Sequence, residues 1–262
     1  MRVAACQAPL LAEDSTESIG RMQQCVRECE TNGISVLCFP EAILGGLADF
    51  SDNPGRLAIR TEDGQLTAVL EPLRSDTVTS IVGFTELSHD GALYNAAAVY
   101  QRGRVTGVYR KIHPAIRRSV YRPGSETPVF RAGELTFGIV ICNDSNYPEL
   151  TRCMAVQNAA VLFIPTNNGL PNGRASLELN AAARSTDVAL ATQNRIWVIR
   201  ADIVGRNGKL TCFGCSEIVD PEGNVIQEAR LERTDLLVAE IDLDGWHRKL
   251  RTWVSRGRGH NS

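Results

Sequence analysis

Apolar residues along the chain fall into two patterns, short unbroken runs and positions spaced three or four residues apart. The runs predict buried strands, and the spaced positions predict amphipathic helices. The predicted strands cover residues 3–8, 34–39, 78–84, 93–100, 105–111, 135–142, 160–164, 195–201 and 236–241, with two more around the turn at 220–223. The predicted helices cover 15–32, 66–73, 148–159 and 175–193. Strands that alternate with both helices and hairpins predict an α/β fold with mixed sheets covered by helices.

The domain organisation predicted from this pattern is a single domain over residues 1–255. The chain has 262 residues, of which 43% are hydrophobic and 22% charged, so it can bury a full core. It contains no Pro/Ser-rich linker and no repeat of fixed period. Residues 256–262, which are rich in Arg and Gly, are predicted to form a flexible tail.

The charge balance and the N-terminal sequence exclude several classes of protein. The 28 Lys and Arg residues nearly match the 30 Asp and Glu residues, which argues against binding to nucleic acid. No apolar window approaches the roughly 20 residues that cross a bilayer. Gln7 and Pro9 interrupt the first apolar run, so no signal peptide is predicted. We therefore expect a cytoplasmic protein without membrane or nucleic-acid partners.

The cysteines and histidines do not form a recognisable metal site. The eight cysteines lie mainly within apolar patterns and are expected to be reduced, and the four histidines are not paired at metal-ligand spacing. Cys212 and Cys215 form a single CxxC pair. If that segment is extended, the two thiols should point to opposite sides of the sheet, which argues against a redox dithiol. No metal is predicted.

Three polar residues stand where apolar strands end. Glu41 follows one predicted strand, Lys111 closes a second, and Cys142 closes a third. Ligand sites in α/β folds collect beyond the carboxyl ends of strands, which makes these residues candidates for a shared site. Each of them alone has an ordinary structural explanation. Glu41 could be a carboxylate at the start of a helix, Lys111 a solvated residue at a strand end, and Cys142 a buried apolar thiol.

Together the three residues are sufficient for acyl transfer. A free thiol has a pKa of about 8.5 and needs a base or a positive neighbour to become a nucleophile at neutral pH. The Glu41 carboxylate can accept its proton, and the Lys111 ammonium can stabilise negative charge on an oxygen. No histidine is required.

The segments around these residues resemble the three catalytic motifs of the nitrilase superfamily of carbon–nitrogen hydrolases. The motifs are Phe39-Pro-Glu41, Tyr109-Arg-Lys111 and Ile141-Cys142-Asn143. The resemblance continues in order through Ala183-Arg184 and as far as the segment at 218–223, so it spans nearly the whole chain.

This resemblance implies a four-layer α-β-β-α sandwich that pairs into a homodimer or a higher homo-oligomer. It also implies hydrolysis of a small amide or N-carbamoyl compound without any cofactor. Cys142 would be the nucleophile, Glu41 the general base and then acid, and Lys111 with the backbone N–H of Asn143 would hold the oxyanion. Acyl transfer to an amine by the same triad and a catalytically silent binding protein remain the alternatives.

One position departs from the family pattern. Amidases of the family usually carry a second glutamate eight residues after the lysine, and here that residue is Ser119. Three explanations stay open: Glu126 or another group substitutes, the second carboxylate is dispensable, or ordinary amidase activity has been lost. The predicted substrate-binding residues are Asn143, Ser119, Tyr147, Thr166 and Asn167.

Overall fold

The secondary structure consists of fourteen strands and five α-helices in the part of the chain that the computed structural model describes, residues 1–9, 15–170, 173–207 and 210–258. The strands are β1 (Arg2–Pro9), β2 (Ile34–Cys38), β3 (Thr79–Leu87), β4 (Leu93–Gln101), β5 (Arg104–Arg110), β6 (Val129–Ala132), β7 (Leu135–Ile139), β8 (Val161–Pro165), β9 (Trp197–Ala201), β10 (Ile203–Asn207), β11 (Leu210–Phe213), β12 (Glu217–Val219), β13 (Val225–Glu228) and β14 (Asp235–Glu240). The helices are α1 (Ser15–Thr31), α2 (Gln65–Leu70), α3 (Pro148–Val156), α4 (Gly173–Asn194) and α5 (Leu243–Arg258).

The strands form two mixed sheets. In the first, the order is β11-β10-β1-β2-β3-β4-β5, and β14 also pairs with β1. Strands β1, β2 and β3 are parallel, whereas β3, β4 and β5 form antiparallel hairpins. In the second sheet the order is β13-β12-β9-β8-β7-β6, with β7, β8 and β9 parallel. The parallel centres bring the carboxyl ends of β2, β7 and β8 to positions from which loops can build a site.

Alternating side chains of the first sheet pack into two separate hydrophobic cores, one on each face of the sheet. Val3 and Ala5 of β1 pack with the residues of the second sheet, together with α3 and α4. Ala4 and Cys6 of the same strand point the other way and pack against the apolar faces of α1 and α2. The period of two in a strand thus produces the layer order helix, sheet, sheet, helix. This confirms the predicted four-layer α-β-β-α sandwich with mixed sheets.

Several elements differ from the sequence prediction. Strands β6 and β11 have only four residues each, too few to show a period in the sequence, and β10 resumes directly after the buried Asp202. Helix α5 was not predicted and continues to Arg258, three residues into the predicted tail. The rest of that tail, 259–262, lies outside the described residues. Within the described ranges, no helix combines the length and apolarity needed to span a bilayer.

Candidate active site

Glu41 is placed by the end of β2 and by a close backbone approach from β3. Its side chain is buried, and its backbone N–H donates to the Thr166 carbonyl at 3.3 Å. Gly83 of β3 lies directly beneath, where a Cβ atom would come within 2.5 Å of the Pro40 oxygen and the Ala42 nitrogen. The absence of a side chain at position 83 therefore allows the Glu41 loop to lie on the sheet.

Lys111 follows β5 and forms a buried ion pair with Glu41. The Lys111 Nζ lies 2.6 Å from Glu41 Oε1, and the Asn95 Nδ2 donates to the same oxygen at 2.7 Å. Burial by itself lowers the pKa of Lys111, but Glu41 and Cys142 outweigh it and raise that pKa above its ordinary value. Lys111 is therefore an ammonium at neutral pH, although it is almost completely buried.

Cys142 begins a short 3₁₀ helix, Cys142–Asn146, two residues after β7 ends. Its backbone is left-handed, with φ of +46°, an uncommon conformation for a residue with a side chain. Asp144 fixes this loop, because its carboxylate accepts hydrogen bonds from the Tyr109 hydroxyl at 2.7 Å and from the His113 N–H at 2.7 Å. The surrounding structure thus holds the strained residue in one orientation.

The electrostatic environment of Cys142 keeps its thiol protonated. Burial and the Glu41 carboxylate raise the pKa of Cys142 to about 12, while Lys111 and Arg200 act in the opposite direction. The backbone N–H of Asn167 also interacts with the sulfur and lowers the pKa. At neutral pH the Cys142 thiol is therefore uncharged, so a nucleophilic attack by its sulfur would require transfer of the proton to a base.

A cavity of about 100 Å³ brings the three predicted catalytic residues together. Glu41, Lys111 and Cys142 all lie on its wall. Most of the other wall residues are apolar; the polar ones are Asn95, Asp49, Tyr121 and Asn167. A larger cavity of about 380 Å³ between β1 and α1 contains none of the three catalytic candidates. We assign the site to the smaller cavity because it holds a thiol, a carboxylate and an ammonium at one place.

The five predicted substrate-binding residues occupy different positions around this cavity. Asn167 lies on the cavity wall, and Thr166 is buried behind it with its hydroxyl accepting a hydrogen bond from Arg200. The Asn143 side chain donates to the His113 carbonyl, and the Tyr147 ring stacks on His113 with centroids 3.5 Å apart. The Ser119 hydroxyl donates to Asp49. Among the described residues, Asn167 is thus the one of the five that the cavity wall includes.

Sequence reasoning missed several residues that position the catalytic groups. Asn95 contacts Glu41 from within β4, and its Oδ1 is buried without a partner among the described residues. Arg200 in β9 is fully buried and pairs with Asp187 of α4. Both polar side chains interrupt otherwise apolar strands, and a polar residue in a buried run is the signal that could have identified them. Asp49 lies in a 3₁₀ helix of three residues, Ala48–Phe50, and Tyr121 lies in a connecting segment, so no periodicity in the sequence marks either of them.

The segment from Cys212 to Cys215 is not extended, so the expectation that its two thiols point to opposite sides of the sheet is wrong. The sulfur of Cys215 lies 3.1 Å from Asp202 Oδ2, and that of Cys212 lies 3.8 Å from Oδ1 of the same carboxylate. Strand β11 ends at Phe213 and Gly214 has a φ of +77°, so the chain turns there and both thiols lie beside the Asp202 carboxylate. Across the described residues, all eight cysteines are free thiols, and no group of three His, Cys, Asp or Glu side chains is arranged to hold a metal ion.

The chain is similar to known carbon–nitrogen hydrolases in sequence and in fold. Residues 2–249 match the family model for carbon–nitrogen hydrolases. The chain is 27% identical to a nitrilase of Pyrococcus abyssi over 93% of this chain and 90% of that protein. It is 26% identical to N-carbamoylputrescine amidase of Arabidopsis thaliana over 92% of this chain and 87% of that protein. The structure of Saccharomyces cerevisiae Nit3, a nitrilase-superfamily member, covers 96% of this chain and 93% of its own, with a TM-score of 0.82 at 19% identity. These matches confirm the resemblance drawn from the three motifs.

Proposed function

The chain belongs to the carbon–nitrogen hydrolase family and is a carbon–nitrogen hydrolase, and from this we propose that it hydrolyses a small amide or N-carbamoyl compound through a thioester on Cys142. One observation carries the proposal: the Glu41–Lys111 ion pair, 2.6 Å between Oε1 and Nζ, shares a cavity with the Cys142 thiol. A nucleophile, a base and a fixed positive charge around one small cavity are the requirements of acyl transfer.

In the first half of the proposed reaction, the Cys142 sulfur attacks the carbonyl carbon while its proton passes to Glu41. The negative charge that develops on the carbonyl oxygen is stabilised by the Lys111 ammonium and the Asn143 backbone N–H. When the C–N bond breaks, Glu41 returns the proton to the departing amine and the acyl group stays on the sulfur as a thioester. Because burial and Glu41 raise the pKa of Cys142, this proton transfer has to accompany attack.

In the second half, a water molecule loses a proton to Glu41 and attacks the thioester carbon. The same ammonium stabilises the second oxyanion. The C–S bond then breaks, the acid is released, and the proton on Glu41 returns to the sulfur. All transferred protons pass through one carboxylate, so the cycle ends with the thiol and carboxylate in their starting states.

The dimensions of the cavity support a small substrate. Ligand cavities commonly measure about 300–1,000 Å³, whereas this one is about 100 Å³. A peptide chain does not fit such a space, but a short aliphatic amide does. An N-carbamoyl group presents the same planar carbonyl and nitrogen to the sulfur, so both classes stay within the proposal.

The proposal is tested with butyramide and with two cysteine variants. Cys142→Ala should abolish ammonia release, whereas Cys153→Ala, which removes an exposed thiol on α3, should leave it unchanged. Mass spectrometry of the wild-type enzyme and substrate should detect an acyl adduct on Cys142. Full turnover by Cys142→Ala on an identified substrate would refute the proposal. Product analysis with an added amine separates hydrolysis from acyl transfer, because the transferase would form the new amide.

A further inference from the structure

A single carboxylate other than Glu41 lies on the described wall of the catalytic cavity, and it belongs to Asp49. Asp49 is half-buried in a short 3₁₀ helix, Ala48–Phe50, which follows Leu47. Its neighbours on that wall include Leu47, Phe50 and Ile116. Phe50 and Ile116 are also partly exposed to solvent, so the mouth of the cavity is apolar apart from this one negative group.

The Asp49 carboxylate is held in a fixed orientation from one side. The Ser119 hydroxyl donates to Oδ2 at 2.9 Å, and the Val120 backbone N–H donates to Oδ1 at 2.8 Å. The Ser119 oxygen in turn accepts a hydrogen bond from the Tyr121 N–H at 3.0 Å. An ionised carboxylate has about four acceptor sites, so two such bonds leave capacity for a donor on a bound molecule.

The two donors that contact this carboxylate, a hydroxyl and a backbone N–H, are both uncharged. Arg117 and Arg118 are exposed and lie off the cavity wall, and so does the exposed Glu126, which lines a different cavity beside Arg110. The charge of Asp49 therefore acts on whatever enters the apolar mouth, and apolar surroundings strengthen its effect on a second charge.

We propose that Asp49 is a specificity-determining residue, which selects amides that carry a positive charge or a hydrogen-bond donor on the acyl chain and rejects those that carry a carboxylate. The proposal rests on the proposed function, because it assigns the reacting carbon to the Cys142 end of the same cavity. Ser119 acts on specificity only through Asp49, as the residue that orients it.

The experiment compares three amides that share a four-carbon acyl chain: butyramide, the cationic γ-aminobutyramide and the anionic succinamate. The wild-type enzyme should prefer the cation to the anion in kcat/KM. Asp49→Asn should reduce the cation-to-anion ratio by about tenfold or more, the factor that corresponds to ~1.4 kcal/mol of lost charge interaction. Ser119→Ala should reduce the ratio less, because the Val120 N–H still holds the carboxylate.

The matched control is Asp52→Asn, which removes the same charge from an exposed position of the same segment. It should leave the ratio unchanged. An unchanged ratio in Asp49→Asn, or an equal loss on all three amides, would overturn the assignment of charge selection to Asp49. Cys142→Ala is measured on the same amides to distinguish the two proposals. Full turnover by Cys142→Ala would refute the thioester mechanism. An inactive Cys142→Ala together with an unchanged cation-to-anion ratio in Asp49→Asn would refute the specificity role alone.

Discussion

Gly83 has no side chain, which allows the loop that carries Glu41, the proposed catalytic base, to lie against β3. A Cβ atom at this position would lie 2.9 Å from the Glu41 Cα and 2.5 Å from two backbone atoms on either side of it. Gly83→Ala should therefore push the Glu41 loop off β3. We expect kcat to fall by up to about 100-fold, since a misplacement of about 1 Å can have that effect, and stability to fall by about 1–3 kcal/mol.

Steady-state kinetics and thermal unfolding of Gly83→Ala check this prediction. Gly20→Ala is the matched control, because Gly20 lies within α1 and a Cβ there meets nothing within 4 Å. The control should keep full activity and gain up to about 1 kcal/mol of stability, since alanine favours a helix over glycine. Wild-type activity in Gly83→Ala would show that the Glu41 loop does not depend on this close approach.

At the scale of single residues, the sequence predicted three candidate catalytic residues that the structure brings to one cavity, but it did not predict the residues around them. The catalytic roles of the three residues stay predictions. Glu41, Lys111 and Cys142 could be predicted because each ends an apolar run within a recognisable motif, and the cavity contains all three. Asp49 could not be predicted from the sequence. Its place in the site depends on a contact with Ser119, which lies 70 residues further along the chain. Contacts between such distant segments leave no period in the sequence.

The helix–sheet contact between α4 and the second sheet depends on a buried charge network. Arg200 of β9 pairs with Asp187 of α4, and Glu217 of the neighbouring strand β12 lies beside them. Burial and Asp187 raise the pKa of Glu217 to about 8, against the opposing effect of Arg184 and Arg200. At neutral pH Glu217 therefore retains its proton, while its Oε2 accepts a hydrogen bond from Arg184 at 2.8 Å.

This network predicts a pH-dependent stability. Between the ordinary glutamate pKa of about 4.3 and the folded value of about 8, the folded protein binds more protons at Glu217 than the unfolded chain does. The contribution of Glu217 to the free energy of unfolding is present in full below this pH window and is lost as the pH rises through it. The free energy of unfolding should fall by at most about 1.4 kcal/mol per pH unit from this residue, and Glu217→Gln should remove that decline.

Urea unfolding of the two proteins at several pH values measures the effect. Glu228→Gln is the control, because Glu228 lies directly opposite Glu217 in the register of β12 and β13 and also pairs with Arg184, but it is exposed. The control should change stability by about 0–1 kcal/mol and leave the pH dependence intact. Equal pH slopes in wild type and Glu217→Gln would contradict the assignment of the proton to Glu217.

Elements were predictable where their patterns were long. The predicted hairpin around Arg102 and Gly103 and the helices α1, α3 and α4 are confirmed within a few residues. Helix α5 was missed although Leu243, Trp246 and Leu250 have helical spacing in the sequence, and all three pack against the core. The end of the predicted strand at 135–142 was misplaced because Asp144 bonds the backbone N–H of Ile141 and begins a 3₁₀ helix instead.

At the scale of the whole molecule, the two ends of the described chain hold each other in place. Strand β14 pairs antiparallel with β1, and the N-terminal amine of Met1 donates to the Ile241 carbonyl at 3.0 Å. Helix α5 follows at once and inserts Trp246 into the core between the layers. One domain over residues 1–255 stays a prediction, which this pairing of the two ends makes testable. Homodimerisation and a cytoplasmic location stay predictions.

If the layers unfold as one cooperative unit, a destabilising substitution in α5 should lower the free energy of unfolding of the whole molecule. Trp246 is buried and its indole N–H donates to the Arg195 carbonyl at 2.6 Å, so Trp246→Ala removes a large core side chain and a hydrogen bond together. We expect a loss of about 3–5 kcal/mol, measured by calorimetry as a lower but still single unfolding transition. Lys249→Ala on the same helix breaks only an exposed ion pair with Glu222 and should cost less than about 1 kcal/mol. Two separate transitions in either variant would show that the C-terminal segment unfolds independently, and the argument for a single domain would fail.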